Sequence, residues 1–174
     1  MIKLSAFTSD GTGVNVVVES PRDSTVKVVY KHDLGQFAFS RALPEGVSFP
    51  YDWGFIPSTR AADGDPLDAL VLWDQTSFAG LVLDCRVLAV LCVEQNSKGR
   101  PGVRERNDRI IVAPRNAGRL ARSGHDGDID PDVRTAIETF LLNAARDQKK
   151  DLALLGWASA DDALALIRDS IIAD

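Results

Sequence analysis

Hydrophobic and polar residues follow a strand-like pattern over the first two thirds of the chain. Short β-branched or alternating apolar runs predict strands, and residues that favour turns bound each run. Asp33-Leu34-Gly35 has the composition of a turn, so the strands on either side of it are expected to pair as a hairpin. The predicted strands cover residues 14–19, 25–30, 36–41, 69–72, 87–93 and 109–113.

The last third of the chain has a helical pattern. Asp130 is a predicted N-cap followed by Pro131 at the first helical position, and apolar residues then recur at helical spacing. A second helix is predicted to begin at Ser159, with Asp162 as its capping-box partner. Strands followed by helices indicate an α+β fold, most simply a β-barrel with helices packed on its outside. The polar, glycine-bearing segment 95–107 is the predicted mobile loop.

Length and composition limit the possible classes of protein. A chain of 174 residues supports one domain spanning residues 1–174. Hydrophobic residues make up 45% and charged residues 26%, which is ordinary for a water-soluble globular protein. No apolar run approaches the roughly 18 residues that a membrane span needs, so no membrane association is expected. The N-terminus lacks the hydrophobic segment of a signal peptide, which makes the cytoplasm the expected compartment.

The charge balance argues against nucleic acid as a partner. The net charge is −5 and only 7% of residues are aromatic, whereas nucleic-acid binders show basic stripes interleaved with aromatic rings. A small anionic substrate is still compatible, because a bound metal ion can invert the local field. Cys85 and Cys92 lie in a hydrophobic stretch and are predicted to be inert thiols rather than metal ligands.

The segment between the predicted hairpin and the strand at 69–72 carries the most informative motif. Asp63-Gly64-Asp65-Pro66-Leu67-Asp68 places three carboxylates directly before an apolar run. Clustered carboxylates repel each other unless a cation neutralises them, and Mg²⁺ held by a few carboxylates usually also holds phosphate oxygens. The alternative is a solvated turn, because Asp, Gly and Pro favour turns for backbone reasons. Lys27 and Arg41 lie on neighbouring arms of the predicted hairpin and are candidate phosphate ligands.

These motifs together resemble those of the soluble Family I inorganic pyrophosphatases. The acidic motif carries the resemblance most strongly, and the similarity extends over about residues 14–170. It implies a small five-stranded OB-like β-barrel flanked by C-terminal helices, pyrophosphate as the substrate, Mg²⁺ or alternatively Mn²⁺ as the cofactor, and a homo-oligomer, either a hexamer or a trimer. The other matching segments are Val17-Val18-Glu19-Ser20-Pro21, Val26-Lys27, Ser40-Arg41, Phe49-Pro50-Tyr51-Asp52-Trp53-Gly54-Phe55-Ile56-Pro57, Ile110-Ile111-Val112-Ala113-Pro114 and Gly156-Trp157.

The resemblance assigns roles to six residues of this chain. Lys27 and Arg41 would grip phosphate oxygens, and Asp65 would position the attacking water, which makes these three the candidate catalytic residues. The candidate metal ligands are four carboxylates: Glu19, Asp63, Asp65 and Asp68.

Several other positions depart from the family pattern. Val29 replaces a glutamate, and strand alternation places it on the same face as Lys27. Trp53 replaces a tyrosine. Gln95 and Asn107 stand near the positions of two further metal-binding aspartates.

A basic group is also expected to be missing from the phosphate site. Ala144-Ala145 replaces a Tyr-Lys pair that grips phosphate, and only Arg146 is close enough in sequence to compensate. Arg109 stands near the position of a phosphate-binding lysine. A shift of one residue in the pairing of this region would bring Glu94 or Asp108 into the site instead of the amides.

The departures predict a weakened site. Loss of two ligand aspartates removes two negative charges, so at least one metal subsite is expected to be lost or loosened. One removed transition-state contact can lower the rate about 10²–10³-fold. The expected function is Mg²⁺-dependent hydrolysis of pyrophosphate to two phosphates by an inorganic diphosphatase, which could be slow. The alternative is a degenerate relative that binds phosphate compounds or protein partners without efficient hydrolysis.

Overall fold

The computed structural model describes residues 4–97, 99–117, 129–148 and 150–172. Among these residues strands outnumber helices, and two helices follow in the last third of the chain. The elements are β1 (Val14–Ser20), β2 (Val26–Lys31), β3 (Gln36–Ala42), β4 (Asp52–Phe55), β5 (Asp68–Val71), β6 (Val82–Asn96), β7 (Arg104–Arg106), β8 (Arg109–Pro114), α1 (Pro131–Ala145), β9 (Ala153–Ala158) and α2 (Ala160–Asp169).

Five strands close into a barrel. The hydrogen-bonded order is β1-β4-β5-β8-β6, and β6 pairs again with β1 to complete the ring. All of these pairs are antiparallel except β5 and β8, which run parallel with Asp68 opposite Arg109. The strands β2 and β3 form a separate hairpin, and β9 extends the sheet at β6. The closed ring with helices outside it confirms the predicted α+β fold with a five-stranded OB-like barrel.

Both faces of the barrel strand β8 are covered. Ile111 and Ala113 pack in a cluster that includes residues of α1, whereas Ile110 and Val112 pack in a second cluster that includes residues of α2. Every residue of β8 is buried, which explains why its sequence is a continuous apolar run and not an alternating one. The long strand β6 contributes to both clusters in the same way.

Three of the described strands, β4, β7 and β9, were not predicted from the sequence. The strand β4 has only four residues and includes a buried aspartate, Asp52, that accepts hydrogen bonds from the Arg22 N–H (2.7 Å) and from Trp73 Nε1 (2.7 Å). The strand β9 contains Gly156 at a positive φ of 109°, next to a shift in its register with β6. β4 and β7 are too short, and β9 is too irregular, to show the alternation on which strand prediction depends.

The predicted mobile loop over residues 95–107 is too long, because Gln95 and Asn96 lie in β6 and Arg104–Arg106 form β7. Gln95 is the fully buried penultimate residue of β6 and pairs with Glu105 of β7. Between β6 and β7, the described residues outside strands are therefore 97 and 99–103. Polar composition suggested a loop, but here the polar side chains lie on a hairpin.

The predicted helix starts are confirmed. The Asp130 side chain accepts a hydrogen bond from the Asp132 N–H at 2.8 Å, with Pro131 in the first turn of α1. The Ser159 and Asp162 side chains form the reciprocal capping box of α2. Neither α1 nor α2, the helices of the described chain, has the length and apolar composition needed to cross a lipid bilayer.

Candidate functional site

The β2–β3 hairpin brings the two predicted phosphate ligands together. Lys27 and Arg41 are direct partners in the antiparallel register, and a bulge follows at once, so that Val28 pairs with Phe39. Directly opposed residues of a hairpin have Cβ atoms about 5 Å apart, so both basic side chains leave the sheet at one place. The hairpin alternation that the sequence predicted therefore does place these two cations side by side.

A cavity of about 630 Å³ lies between this hairpin and the acidic segment. Its wall joins acids from three places in the sequence to the basic pair of the hairpin. Val29 also lines the cavity, as strand alternation predicted, and so do Lys31 and Lys150. Asp63 is not part of the wall. The predicted site residues that share it are Glu19, Lys27, Arg41, Asp65 and Asp68.

Glu19 is a buried carboxylate in this wall. Its Oε1 accepts a hydrogen bond of 2.7 Å from the Tyr30 N–H, which ties β1 to the hairpin. Burial raises the pKa of Glu19 to about 7; the Tyr30 hydrogen bond opposes this shift, the Asp68 charge adds to it, Lys27 opposes it and Asp65 adds to it. Burial is therefore the main reason why folded Glu19 holds its proton more tightly than a solvated carboxyl group does.

The raised pKa of Glu19 predicts a pH-dependent stability. Because its pKa of about 7 exceeds the ordinary value of 4.5, the folded protein binds this proton more tightly than the unfolded chain does. Glu19 therefore contributes stability below pH 4.5, and that contribution disappears as the pH rises to about 7. In EDTA, we expect the urea midpoint of the wild type to fall over this range relative to that of Glu19→Gln, whose amide oxygen keeps the Tyr30 bond. A difference that stays constant with pH would contradict this expectation.

Two acids of the motif are bound by side chains from the start of β8. Arg109 Nη1 forms an ion pair of 3.0 Å with Asp68 Oδ2, and the same guanidinium donates to Asn107 Oδ1. Asn107 Nδ2 in turn donates to Asp63 Oδ2 at 3.0 Å. The result is a continuous chain from Asp68 through Arg109 and Asn107 to Asp63. Asn107 therefore lies beside the acidic motif, as predicted. Its side chain contacts a carboxylate of that motif, Asp63.

The indole of Trp53 lies beside both halves of the site. Lys27 Nζ is 5.4 Å from its ring centroid, and the Arg109 guanidinium carbon is 5.1 Å from it. Two cation–π contacts of this kind are each worth about 1 kcal/mol or more when desolvated. Trp53 is 4% exposed and its Nε1 is buried without a hydrogen-bond partner. Trp53 therefore packs in the core and also orients the side chains of Lys27 and Arg109.

A recess of about 40 Å³ lies beside the larger cavity, against the C-terminal end of α1. Ala144 and Ala145 form part of its wall, together with Lys150, which also lines the larger cavity. Arg146 does not compensate for the two alanines, because it is exposed and its guanidinium donates to Asn143 Oδ1. Lys150 is the basic residue that sequence reasoning missed, and no local pattern marked it because its position depends on how α1 ends.

The recess also shows how Arg41 is held. Arg41 Nη2 donates to the Ala144 carbonyl at 3.3 Å, and Gln148 Nε2 donates to the same oxygen at 2.8 Å. Partial burial lowers the pKa of Arg41, and the Asp147 carboxylate opposes this shift. Arg41 therefore links the hairpin to the end of α1 while it faces the cavity.

The suggested shift of one residue toward Glu94 or Asp108 is wrong. Glu94 forms an ion pair with Arg104, and Asp108 accepts hydrogen bonds from the Val93 N–H and Arg106. Neither carboxylate lines the cavity. Gln95 and Asn107 do not line the cavity either, and Gln95 is fully buried with neither of its amide atoms hydrogen bonded.

The cysteines lie outside the site. Cys85 is a fully buried free thiol whose pKa is raised above its ordinary value by burial, and Cys92 is a partly buried free thiol. Both observations agree with the predicted inert thiols. Across the described ranges, no three His, Cys, Asp or Glu side chains are close enough to hold a metal ion as they stand.

The geometry can now be compared with known proteins. The model of the family described as inorganic pyrophosphatase matches residues 16–173. An inorganic pyrophosphatase of Thermus thermophilus is 35% identical over 161 residues, which cover 91% of this chain and 88% of the relative. One from Nostoc sp. is 34% identical over 158 residues, which cover 91% and 89% of the two chains.

Solved structures give the same result. The crystal structure of inorganic pyrophosphatase from Thermus thermophilus has a TM-score of 0.85 and 32% identity, and covers 97% of this chain and 94% of that one. An inorganic pyrophosphatase from Neisseria gonorrhoeae has a TM-score of 0.84 and 26% identity, with 98% and 95% covered. Sequence, fold and family model agree over nearly the whole chain. The chain belongs to the inorganic pyrophosphatase family.

Proposed function

We propose that this chain hydrolyses inorganic pyrophosphate to two phosphates with the help of a divalent cation, Mg²⁺ before Mn²⁺. The observation that carries the proposal is the shared cavity, in which Glu19, Asp65 and Asp68 lie across from Lys27 and Arg41. Pyrophosphate hydrolysis needs an anionic transition state to be positioned and its charge to be neutralised. A wall of oxygen donors opposite a pair of cations is suited to that task.

The donor set fits a hard divalent cation. Carboxylate oxygens are the ligands that Mg²⁺ prefers, and those of Glu19, Asp65 and Asp68 line one cavity. Glu19, Asp65 and Asp68 would hold the ion from the cavity wall, with Asp63 beside them. When bound, the ion neutralises phosphate charge and lowers the pKa of water.

The chain's own side chains would divide the remaining tasks. Asp65 is exposed at the cavity, on the turn before β5, where it would orient the attacking water and accept its proton. Lys27 and Arg41 would bind phosphate oxygens, and Lys150 lies where it can add a third positive charge. The phosphate-release assay with Mg²⁺ tests the proposal. A folded protein that releases no phosphate above the buffer rate would refute it.

Removal of the hairpin lysine should weaken substrate binding. Lys27→Met is expected to raise KM for pyrophosphate about tenfold or more, because a hydrogen bond to a charged group is worth about 1.5–3 kcal/mol. Methionine keeps an unbranched apolar side chain at this position but removes the ammonium group that lies over the Trp53 ring. Arg60→Met removes an exposed cation outside both cavities; it is the control and should change KM less than about threefold. Equal effects of the two substitutions would contradict a specific role for Lys27.

A second candidate function is binding without efficient hydrolysis. Four observations favour it: Val29 lines the cavity in place of a carboxylate, Gln95 and Asn107 are amides, and Ala144-Ala145 leaves a recess. In that case calorimetry would show pyrophosphate binding with Mg²⁺ present while phosphate release stays at the buffer rate. Brisk turnover would exclude this alternative.

We also propose that the chain forms a homo-oligomer, a trimer or hexamer by family resemblance. Large apolar side chains are exposed on several elements, and such side chains are often covered in assemblies. Light scattering of the purified protein measures the assembly directly, and a monomer would refute the proposal. Examples of these side chains are Phe39, Phe78, Leu142 and Leu155.

A further inference from the structure

The chain Asp68–Arg109–Asn107–Asp63 has a property that the family pattern does not require. Arg109 is a cation whose side chain is 4% exposed, and it contacts Asp68, which is 20% exposed. Asn107 is 5% exposed and joins the guanidinium to Asp63. A positive charge of the protein is therefore fixed, away from water, between two of the four acids proposed to hold metal.

The orientation of the Asn107 amide is determined by its two neighbours. Its oxygen accepts from the Arg109 guanidinium, which can only donate, and its nitrogen donates to the Asp63 carboxylate, which accepts. Reversal of the amide would place donor against donor and acceptor against acceptor. An aspartate at position 107 could accept from Arg109 but would repel Asp63. Asparagine is therefore the residue type that can bridge this cation to this carboxylate.

The same network explains how the charges of a site with few carboxylates remain balanced. Val29, Gln95 and Asn107 remove three of the negative charges that the family resemblance places around the site. Each divalent ion supplies two positive charges, so a site with fewer acids neutralises fewer ions. Buried opposite charges interact strongly, and Arg109 Nη1 donates to both Asp68 and Asn107, whereas Arg109 Nε is buried without a hydrogen-bond partner.

We propose that Arg109, oriented by Asn107, is a built-in substitute for one of the divalent cations of this site. The Arg109 guanidinium partly neutralises Asp68, and Asn107 links the guanidinium to Asp63, while Glu19 and Asp65 line the cavity from which metal would be recruited. Arg109 is in this view a positioning residue that sets the number of metal ions. The inference rests on the proposed function, because it concerns the metal ions of that same site.

Counting bound metal tests the proposal without substrate. Calorimetric titration of the metal-free protein with MgCl₂ should give at least one fewer ion per chain for the wild type than for Asn107→Asp. The new carboxylate faces Asp63, so the variant should melt at a lower temperature than the wild type in EDTA. Saturating Mg²⁺ should raise the melting temperature of the variant at least twice as much as it raises that of the wild type. Asn143→Asp adds the same charge on α1, outside both cavities, and should behave like the wild type.

A second variant removes the fixed cation itself. Arg109→Met should lower the melting temperature in EDTA and recover most of that loss when Mg²⁺ is added, whereas Arg109→Lys should stay closer to the wild type. A merely structural arginine would give a loss that Mg²⁺ does not restore. Equal metal counts for the wild type and Asn107→Asp, or no Mg²⁺ recovery of Arg109→Met, would overturn the proposal. Because neither measurement uses pyrophosphate, failure here is distinguishable from failure of the proposed hydrolysis.

Discussion

Asp65→Asn should lower the rate of pyrophosphate hydrolysis by about 10²–10³-fold or more while the protein stays folded. Asp63 lies outside the cavity wall and Asp68 is only partly exposed in it, whereas Asp65 is exposed there. It is thus the motif carboxylate best placed to accept a proton from water. An amide of the same shape keeps hydrogen bonding but cannot act as a base.

The effect of Asp65→Asn should lie in kcat rather than in stability. Asp65 stands on a turn whose backbone is held by other bonds, including the Ala61 N–H to the Asp65 carbonyl at 2.7 Å, and the substitution leaves that bond in place. Phosphate release and urea unfolding of the same preparation separate the two effects. Asp169→Asn, an exposed change at the end of α2, is the control. A variant that keeps more than about a tenth of the wild-type rate would remove Asp65 from its proposed role.

Local patterns were sufficient to predict the basic half of the site. The position of Lys27 opposite Arg41 follows from one hairpin, whose turn and alternation are contained in fewer than twenty residues of sequence. The same alternation correctly placed Val29 on the cavity face. Hairpin geometry is specified by its own turn and strands, so short-range reasoning is reliable there.

The Arg109–Asp68 contact could not be derived in this way. It depends on the parallel pairing of β5 with β8, which sets Asp68 opposite Arg109 although forty residues separate them. No local signal specifies which strands of a barrel become neighbours, so the family resemblance gave only approximate positions for Asn107 and Arg109. The position of Lys150 was missed for a similar reason, since it follows from the packing of α1 against the hairpin.

The close approach of β1 and β4 is a third feature that sequence patterns do not predict. Gly54 lies opposite Val18 in the antiparallel register of these two barrel strands. A Cβ at position 54 would lie 2.1 Å from the Val17 carbonyl oxygen, 2.9 Å from the Val17 carbonyl carbon and 3.0 Å from the Val18 Cα. All three contacts are with backbone, so no side-chain rotation can relieve them. The two strands also carry Glu19 and Trp53, so their spacing determines the geometry of the site.

Gly54→Ala is therefore expected to destabilise the protein by about 3 kcal/mol, because overpacking against a fixed backbone forces strands apart. Urea unfolding measures this loss as a lower midpoint. The matched control is Gly99→Ala in the β6–β7 turn, where an added Cβ would meet no atom within 4 Å, and it should change stability by less than about 0.5 kcal/mol. Any Gly54→Ala protein that remains folded should also lose activity, since separation of β1 from β4 moves Glu19 relative to Trp53. If Gly54→Ala unfolded at the wild-type midpoint, the close approach of these strands would not be a constraint on the barrel, and the position of Glu19 in the site would need another cause.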